Sequence, residues 1–332
     1  MNLPLKKDTN SLSSVIFVFM NKLTFLAIFF FGLASYAQES YSKQFSIITD
    51  NDLYTSINRD KYYKSGIFLS YKYASKKIKN SEIKRIYEYK IGHEMFTPQK
   101  AIVRTIQEHD RPFAAYLYGE YGITRVFNDQ FFSTNYQLGI IGPGALGKEI
   151  QDFIHDIYGF RRAEGWKYQI QSAIGLNARL TYAKTLYRPP SNLFDITWLN
   201  QGSIGTVYTD VASGFYTRIG FKTLAPISNT MAFDTHLNRG SAKRGIESFL
   251  FINPMFRLAM YDATIQGSFL NTSSEVTKEL IPLVFHLQAG LLFSANRFNF
   301  GYIYHFTTSK SKGLVFDNGN VYGTIAINYL FR

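Results

Sequence analysis

Several segments of this chain keep a period of two for longer than an ordinary soluble sheet requires. From Ile170 to Tyr182, one face carries Ile170, Ile174, Leu176, Ala178, Leu180 and Tyr182, and the other Gln171, Ala173, Gly175, Asn177, Arg179 and Thr181. Ile281–Phe293 sets Leu283, Phe285, Leu287, Leu291 and Phe293 opposite His286, Gln288 and Gly290. Phe298–Phe306 and Val321–Phe331 repeat the pattern, and shorter versions lie at 45–52, 66–73, 85–94, 113–125, 131–141, 213–221 and 248–261. Successive side chains of a strand point to opposite faces, so each segment reads as a strand with one apolar and one small or polar face. A soluble β-sandwich also alternates, but its strands run ~5–6 residues, whereas a tilted membrane-crossing strand needs ~9–11. Aromatic residues recur near the segment ends, as in interfacial girdles. A sheet that leaves backbone groups open in hydrocarbon is not viable, so these strands must close. The expectation is a closed antiparallel transmembrane β-barrel with Lys72, Glu120 and Arg179 hydrated or paired in its lumen. The segment count is twelve or thirteen, and the even numbers usual for such barrels select twelve. One segment in the stretch 191–223 then falls short of a full strand.

The N-terminus reads as targeting sequence. Met20-Asn21-Lys22 is a short basic start, Leu23–Leu33 a nearly unbroken apolar run, and Ser35-Tyr36-Ala37 a small-residue cleavage site. Residues 1–37 are expected to be a signal peptide translated from Met20, with 38–332 the mature barrel; an N-terminal anchor is the alternative. No later segment has the ~20 continuous apolar residues of a spanning helix. The chain has no cysteine, 24 Tyr and 30 Phe, so an exported fold must rest on packing or sheet closure instead of disulfides. Export makes nucleic acid an improbable partner for the net charge of +12; anionic headgroups suit it better.

One stretch breaks the alternation. Gly142-Pro143-Gly144 ends a strand, and Ala145–Tyr158 reads as a short helix with Gln151 and His155 on one face. Closure does not need this helix, so it is expected to cover or build a site beside the lumen. His155 suits a general base near neutral pH, or else a capping histidine. Asp50-Asn51-Asp52 gathers oxygens that suit a hard cation such as Ca²⁺ or simply a turn. Arg59–Gly66 reads as a solvated loop with a Gly turn, and His109-Asp110-Arg111 as a loop salt bridge. Neither a Gly-x-Ser-x-Gly elbow nor a His-Glu-x-x-His motif is present. For a hydrolase, the economical scheme is a histidine-activated water with a cation polarising the carbonyl.

At these residues the sequence resembles the outer-membrane lipid A 3'-O-deacylase family, the LpxR-type proteins of Gram-negative bacteria. The marks are Asp50–Leu53, Asp60–Gly66, Asp110–Leu117, Ile141–Gln151 with His155, and Gly165-Trp166, over roughly 42–332. The resemblance implies a twelve-stranded barrel in the outer membrane, acting as a monomer on lipid A of lipopolysaccharide. It implies Ca²⁺-dependent hydrolysis of the 3'-linked acyloxyacyl ester. His155 falls on the catalytic base, Asn51 and Gln151 on supporting active-site positions, and Asp52 on the residue tied to the cation. Asn51, the Lys64 backbone and Ser65 complete the implied cation site. Lys64 stands where the family usually has Thr, and Arg161 and Ala163 replace an acidic residue and a tyrosine. Lys100 and Arg104 are both candidates for the loop lysine, with Arg111 a further substrate contact. The rival readings are a phospholipase-like outer-membrane esterase, which lacks a recognisable nucleophilic serine here, and a non-enzymatic channel or scaffold.

Overall fold

Twelve antiparallel strands follow in chain order, each hydrogen-bonded to the next, and the last closes on the first. They are β1 (Lys43–Asn51), β2 (Tyr62–Ala74), β3 (Lys84–Thr97), β4 (Ala114–Val126), β5 (Gln130–Ile141), β6 (Ala173–Tyr187), β7 (Phe194–Gly205), β8 (Tyr208–Gly220), β9 (Ser248–Asp262), β10 (Leu283–Ala295), β11 (Phe298–Thr307) and β12 (Asn320–Phe331). A twelve-residue helix, α1 (Gly147–Tyr158), lies between β5 and β6, and a single turn, α2 (Ala263–Gln266), follows β9. This computed structural model describes residues 40–55, 62–78, 81–100, 102–159, 161–239 and 246–332. The expected signal segment and Arg59–Lys61 lie outside the described residues.

The strands run from 9 to 15 residues. Among the described residues no helix is long and apolar enough to cross a membrane; the strands close into the barrel wall. Its outer face is apolar: Ile47, Leu69, Ile91, Leu138, Leu180 and Ile252 are all exposed. At the end that carries the termini, Tyr73 stacks on Tyr87 (centroids 5.3 Å) and Phe132 on Tyr182 (4.6 Å), forming an aromatic girdle. The opposite, distal end carries most of the long connections, including 98–113 and 142–172.

Two expectations need correction. The stretch 191–223 holds two full strands, β7 and β8, paired from Phe194↔Ile219 to Ser203↔Asp210. Alternation is weak in β7 because Leu199 faces inward, where it packs with Val126, Phe131 and Phe233, while Asn200 and Gly202 take outward positions. Ile170 precedes β6 and is fully buried beside Tyr116 and Ile141, so it is not part of the lipid-facing wall.

The lumen is polar and filled. Glu120 accepts from Lys90 (2.7 Å), Asn135 (3.0 Å) and Gln137 (2.6 Å). The connection from β8 to β9 folds back as a plug at the terminal end. Its Asp234 pairs with Lys72 and accepts from Gln44 at 3.0 Å, and Lys84 donates to Asn238 at 2.6 Å and to the Thr235 carbonyl at 2.7 Å. Arg218, fully buried, anchors the base of this plug. It grips both Asp195 oxygens (2.9 and 2.6 Å) and reaches Glu247 at 3.3 Å. Removing one partner of such a group strands the other charges without water. Arg218→Leu is therefore expected to cost ~3–5 kcal/mol, read as a lower midpoint in denaturant unfolding of the refolded barrel; a midpoint shared with the wild type would refute the anchoring role.

Candidate active site

The pleat of the wall decides which polar residues meet. In β1, Ile48 and Asp50 line the lumen, so Asn51 faces outward. Asp50 accepts from the Thr324 hydroxyl (2.7 Å) and the Tyr63 hydroxyl (2.8 Å) inside the barrel. The run Asp50-Asn51-Asp52 is thus split across the sheet, and its oxygens do not form one cluster. Asn51 caps a 3-10 turn over Asp52–Tyr54, its extended backbone letting Oδ1 accept from the Leu53 N–H at 2.8 Å. Beyond it the chain folds onto the outer wall. The Tyr54 side chain covers Gly323, and Tyr302 donates its hydroxyl to the Tyr54 carbonyl at 2.8 Å. Asp52 is 1% exposed at the start of this turn.

Asn51 pairs across the ladder with Ser65, Ser65 with Met95, and Met95 with Ala115. The register slips between Tyr63 and Ser65, which makes Lys64 the extra residue of a β-bulge. These four paired residues form one outward-facing row across β1–β4, ~14 Å long at ~4.8 Å per strand. Met95 and Ala115 are nevertheless buried, because the loops and α1 cover them. They pack with Val103, Phe113, Ala145, Ala163 and Trp166.

The helix therefore stands on the outer face of the barrel and not beside the lumen as expected from the sequence. Local chemistry places it there. Gly142 takes a φ of 91°, Pro143 opens a 3-10 turn, and Leu146 turns left-handed (φ 60°) to launch the helix. Gly147 is required by contact: a Cβ there would meet the Ala115 Cβ at 2.5 Å and the Trp166 ring at 2.6 Å. The helix ends at Gly159, left-handed at φ 70°, whose N–H donates to the His155 carbonyl. Next to it, Arg162 hydrogen-bonds Asp156 and holds that exposed carboxyl below its ordinary range.

On the face turned to the wall, Gln151 and His155 are 1% and 6% exposed. The Trp166 indole N–H donates to Gln151 Oε1 at 2.7 Å. That bond orients the Gln151 amide so that its N–H points to His155 Nε2, 3.5 Å away. The other ring nitrogen, Nδ1, lies 2.7 Å from the Arg161 carbonyl. A carbonyl only accepts, so these partners assign the proton to Nδ1 and the lone pair to Nε2. The arrangement fixes the orientation of the imidazole, with Nε2 as its accepting nitrogen.

The remaining expected residues divide. Lys100 and Arg104 are exposed on the 98–113 connection, where Arg104 meets Glu164 at 3.3 Å and Val103 donates to the Glu164 carbonyl at 3.1 Å. Arg111 is buried on the luminal side, its guanidinium over the Phe96 ring (4.6 Å) and donating to the Tyr62 carbonyl (3.1 Å) and the Thr264 hydroxyl (3.0 Å). The expected loop salt bridge gives way to a clasp: Asp110 accepts from the Tyr62 hydroxyl (2.9 Å) and the Gln99 N–H (3.1 Å). Sequence reasoning missed two residues. Trp166 was legible only as half of a Gly-Trp mark. His93, buried on the outer face with Nε2 2.9 Å from the Ala145 carbonyl, left no signal beyond its outward parity in β3.

A family model described as outer membrane protein LpxR matches residues 23–331. Among solved structures, LpxR from Salmonella typhimurium superposes with a TM-score of 0.70 at 19% identity, covering 87% of this chain and 100% of that one. At that identity the likeness speaks to the fold. The β-domain of the Bordetella autotransporter BrkA reaches a TM-score of 0.45 at 9% identity, over 88% and 99% of the two chains. No curated protein matches.

The relay into His155 has a measurable cost when cut. Trp166→Phe keeps an aromatic ring and removes the donor, leaving Gln151 Oε1 buried and unpaired. The expected loss is ~1–3 kcal/mol of unfolding free energy, and adding Gln151→Leu to the Trp166→Phe variant should restore part of it. Equal stability of Trp166→Phe and wild type would show that the bond does not matter.

Proposed function

The chain belongs to the LpxR family of outer-membrane proteins, and from that premise we propose that it is a lipid A 3'-O-deacylase, cleaving the 3'-linked acyloxyacyl ester with water activated by His155. The observation that carries this reading is the buried relay from Trp166 through Gln151 to His155 and Arg161, on the lipid side of the wall. A channel or scaffold has no use for an oriented base there. A serine esterase would need a hydroxyl donating to the imidazole, and here the two ring nitrogens face the Gln151 amide and the Arg161 carbonyl instead.

The step can be written on the residues present. With Nδ1–H held by the Arg161 carbonyl, Nε2 takes a proton from water, and the water oxygen bonds to the ester carbonyl carbon. The long Gln151 contact is given up as water moves in. Collapse of the tetrahedral intermediate breaks the acyl C–O bond, and the proton on Nε2 passes to the departing sugar oxygen. The products are a free fatty acid and a 3'-hydroxyl. Lys100 and Arg104, exposed on the covering loop, suit the anionic groups of the sugar. Arg111, turned into the lumen, does not.

A divalent cation fits the donor chemistry at the rim. The Asp52 carboxylate, Asn51 carboxamide, Ser65 hydroxyl and bulged Lys64 carbonyl are all hard oxygens of the kind Ca²⁺ prefers. Among the described residues no group of three or more His, Cys, Asp or Glu gathers, so such a site would rest on one carboxylate plus neutral oxygens and water. When bound, Ca²⁺ would polarise the ester carbonyl and offset charge on its oxygen.

Lipid A extracted from outer membranes that carry the protein tests this directly by mass spectrometry. Wild type should remove the 3' acyl mass. His155→Ala should slow that loss ~10²–10⁴-fold, and Asp52→Ala or chelation of Ca²⁺ should suppress it. Unchanged lipid A from a folded barrel supplied with Ca²⁺ would overturn the proposal, and lysophospholipid in the same extracts would move the activity to glycerophospholipids.

A further inference from the structure

We infer that α1 is an interfacial helix whose outward stripe, Leu146, Phe153 and Ile157, is inserted among the acyl chains of the outer leaflet. A helix resting on a soluble protein turns its apolar stripe to its support and its polar stripe to water. α1 does the reverse. Gly147, Gln151 and His155 face the wall and are buried. Lys148, Asp152 and Asp156 form a charged edge, with Lys148 donating to Asp152 at 2.8 Å. Leu146, Phe153 and Ile157 point away from the barrel and are 49%, 65% and 62% exposed.

The position of the helix on the wall identifies what covers that stripe. α1 is seated on the outer face of β4, where Gly147 meets Ala115. At the other end of the same face of β4 is Arg125, whose side chain is more than half exposed. A strand rising ~3.3 Å per residue and tilted ~40° sets these two residues ~25 Å apart along the membrane normal, the height of the apolar band of such barrels. The helix thus rests at the upper edge of the hydrocarbon. Its foot is continuous with the lipid-facing belt: the Ile140 side chain lies under Gly144, and Ile174, paired with Ile140 across the ladder, is exposed to lipid. An amphipathic helix at that depth, with a charged edge suited to headgroups, has the form of an interfacial segment. The partner is accordingly the membrane hydrocarbon and not a second protein. The inference concerns where the helix sits and does not depend on the reaction proposed above.

The chain has no cysteine, so single-cysteine variants of the whole barrel take one nitroxide label each without background. Phe153→Cys and Ile157→Cys report the stripe, Asp156→Cys the charged edge, and Leu138→Cys the belt. The barrels are refolded into phosphatidylethanolamine–phosphatidylglycerol vesicles, and heat-dependent gel mobility verifies closure. Spin relaxation is then measured with oxygen, which partitions into lipid, and with a nickel chelate, which stays in water. Labels at 153 and 157 should follow 138, with an oxygen-to-nickel ratio several-fold above that at 156. Nickel accessibility at 153 and 157 equal to that at 156 would overturn the inference. So would shielding of both from both reagents, or dipolar broadening from a second copy. Because no lipid A is cleaved in this measurement, its failure would leave the deacylase reading to be judged by the mass spectra.

Discussion

Everything in this molecule depends on the pairing of β1 with β12. In hydrocarbon an unpaired backbone N–H or C=O costs several kcal/mol, and a twelve-stranded sheet with open edges would expose two rows of them. The register from Lys43↔Phe331 to Asn51↔Gly323 removes both rows. Closure also gives every strand two fixed sides, so each residue is committed by parity either to the lumen or to lipid. The lumen can then hold charges at close quarters, as Glu120 and Lys90 or Arg218 and Asp195 do, since the wall keeps them from the membrane. The outer face must be apolar wherever it meets acyl chains.

That division makes the lipid side a difficult place for polar chemistry. His155 and Gln151 lie outside the wall, where bare polar groups would be expensive. The chain solves this with a second layer. α1 and the 98–113 and 161–169 segments cover the rim of β3 and β4, and small residues at the contact, Gly147 and Ala115, let the helix approach closely. Within that layer a line of hydrogen bonds runs from the Trp166 indole through Gln151 and His155 to the Arg161 carbonyl. The layer is thin enough that its far side is again apolar, which is why Phe153 and Ile157 are where they are.

Much of the architecture could be read in the residues. Long alternating runs such as Ile281–Phe293 announce membrane-crossing strands, because period two follows from the pleat alone. Strand β7 was harder. Leu199 points inward into the apolar cluster against which Phe233 of the plug packs, and Phe233 lies more than thirty residues later in the chain. The plug itself could not be read, since Asp234 finds Lys72 and Gln44 at separations of 162 and 190 residues. At the candidate site, Gln151 and His155 were legible because residues four apart share a helical face. Asp50 and Asn51 were read together and are separated by the wall.

The sequence by itself determined the period, the helix that interrupts it, the absence of cysteine and the residue types able to act as base or cation ligand. These are local properties, set by backbone geometry and side-chain chemistry within a few residues. Only the tertiary structure decided which side of the wall each polar group occupies, and that α1 lies against the outer face instead of in the lumen. It also decided that Arg111 lies on the luminal side, over the Phe96 ring and bonded to Tyr62 and Thr264. Those outcomes depend on strand register and on contacts between residues far apart in the chain. A slip of one residue would exchange the two faces of a strand, so the side of the wall on which each polar group lies is a property of the closed barrel as a whole.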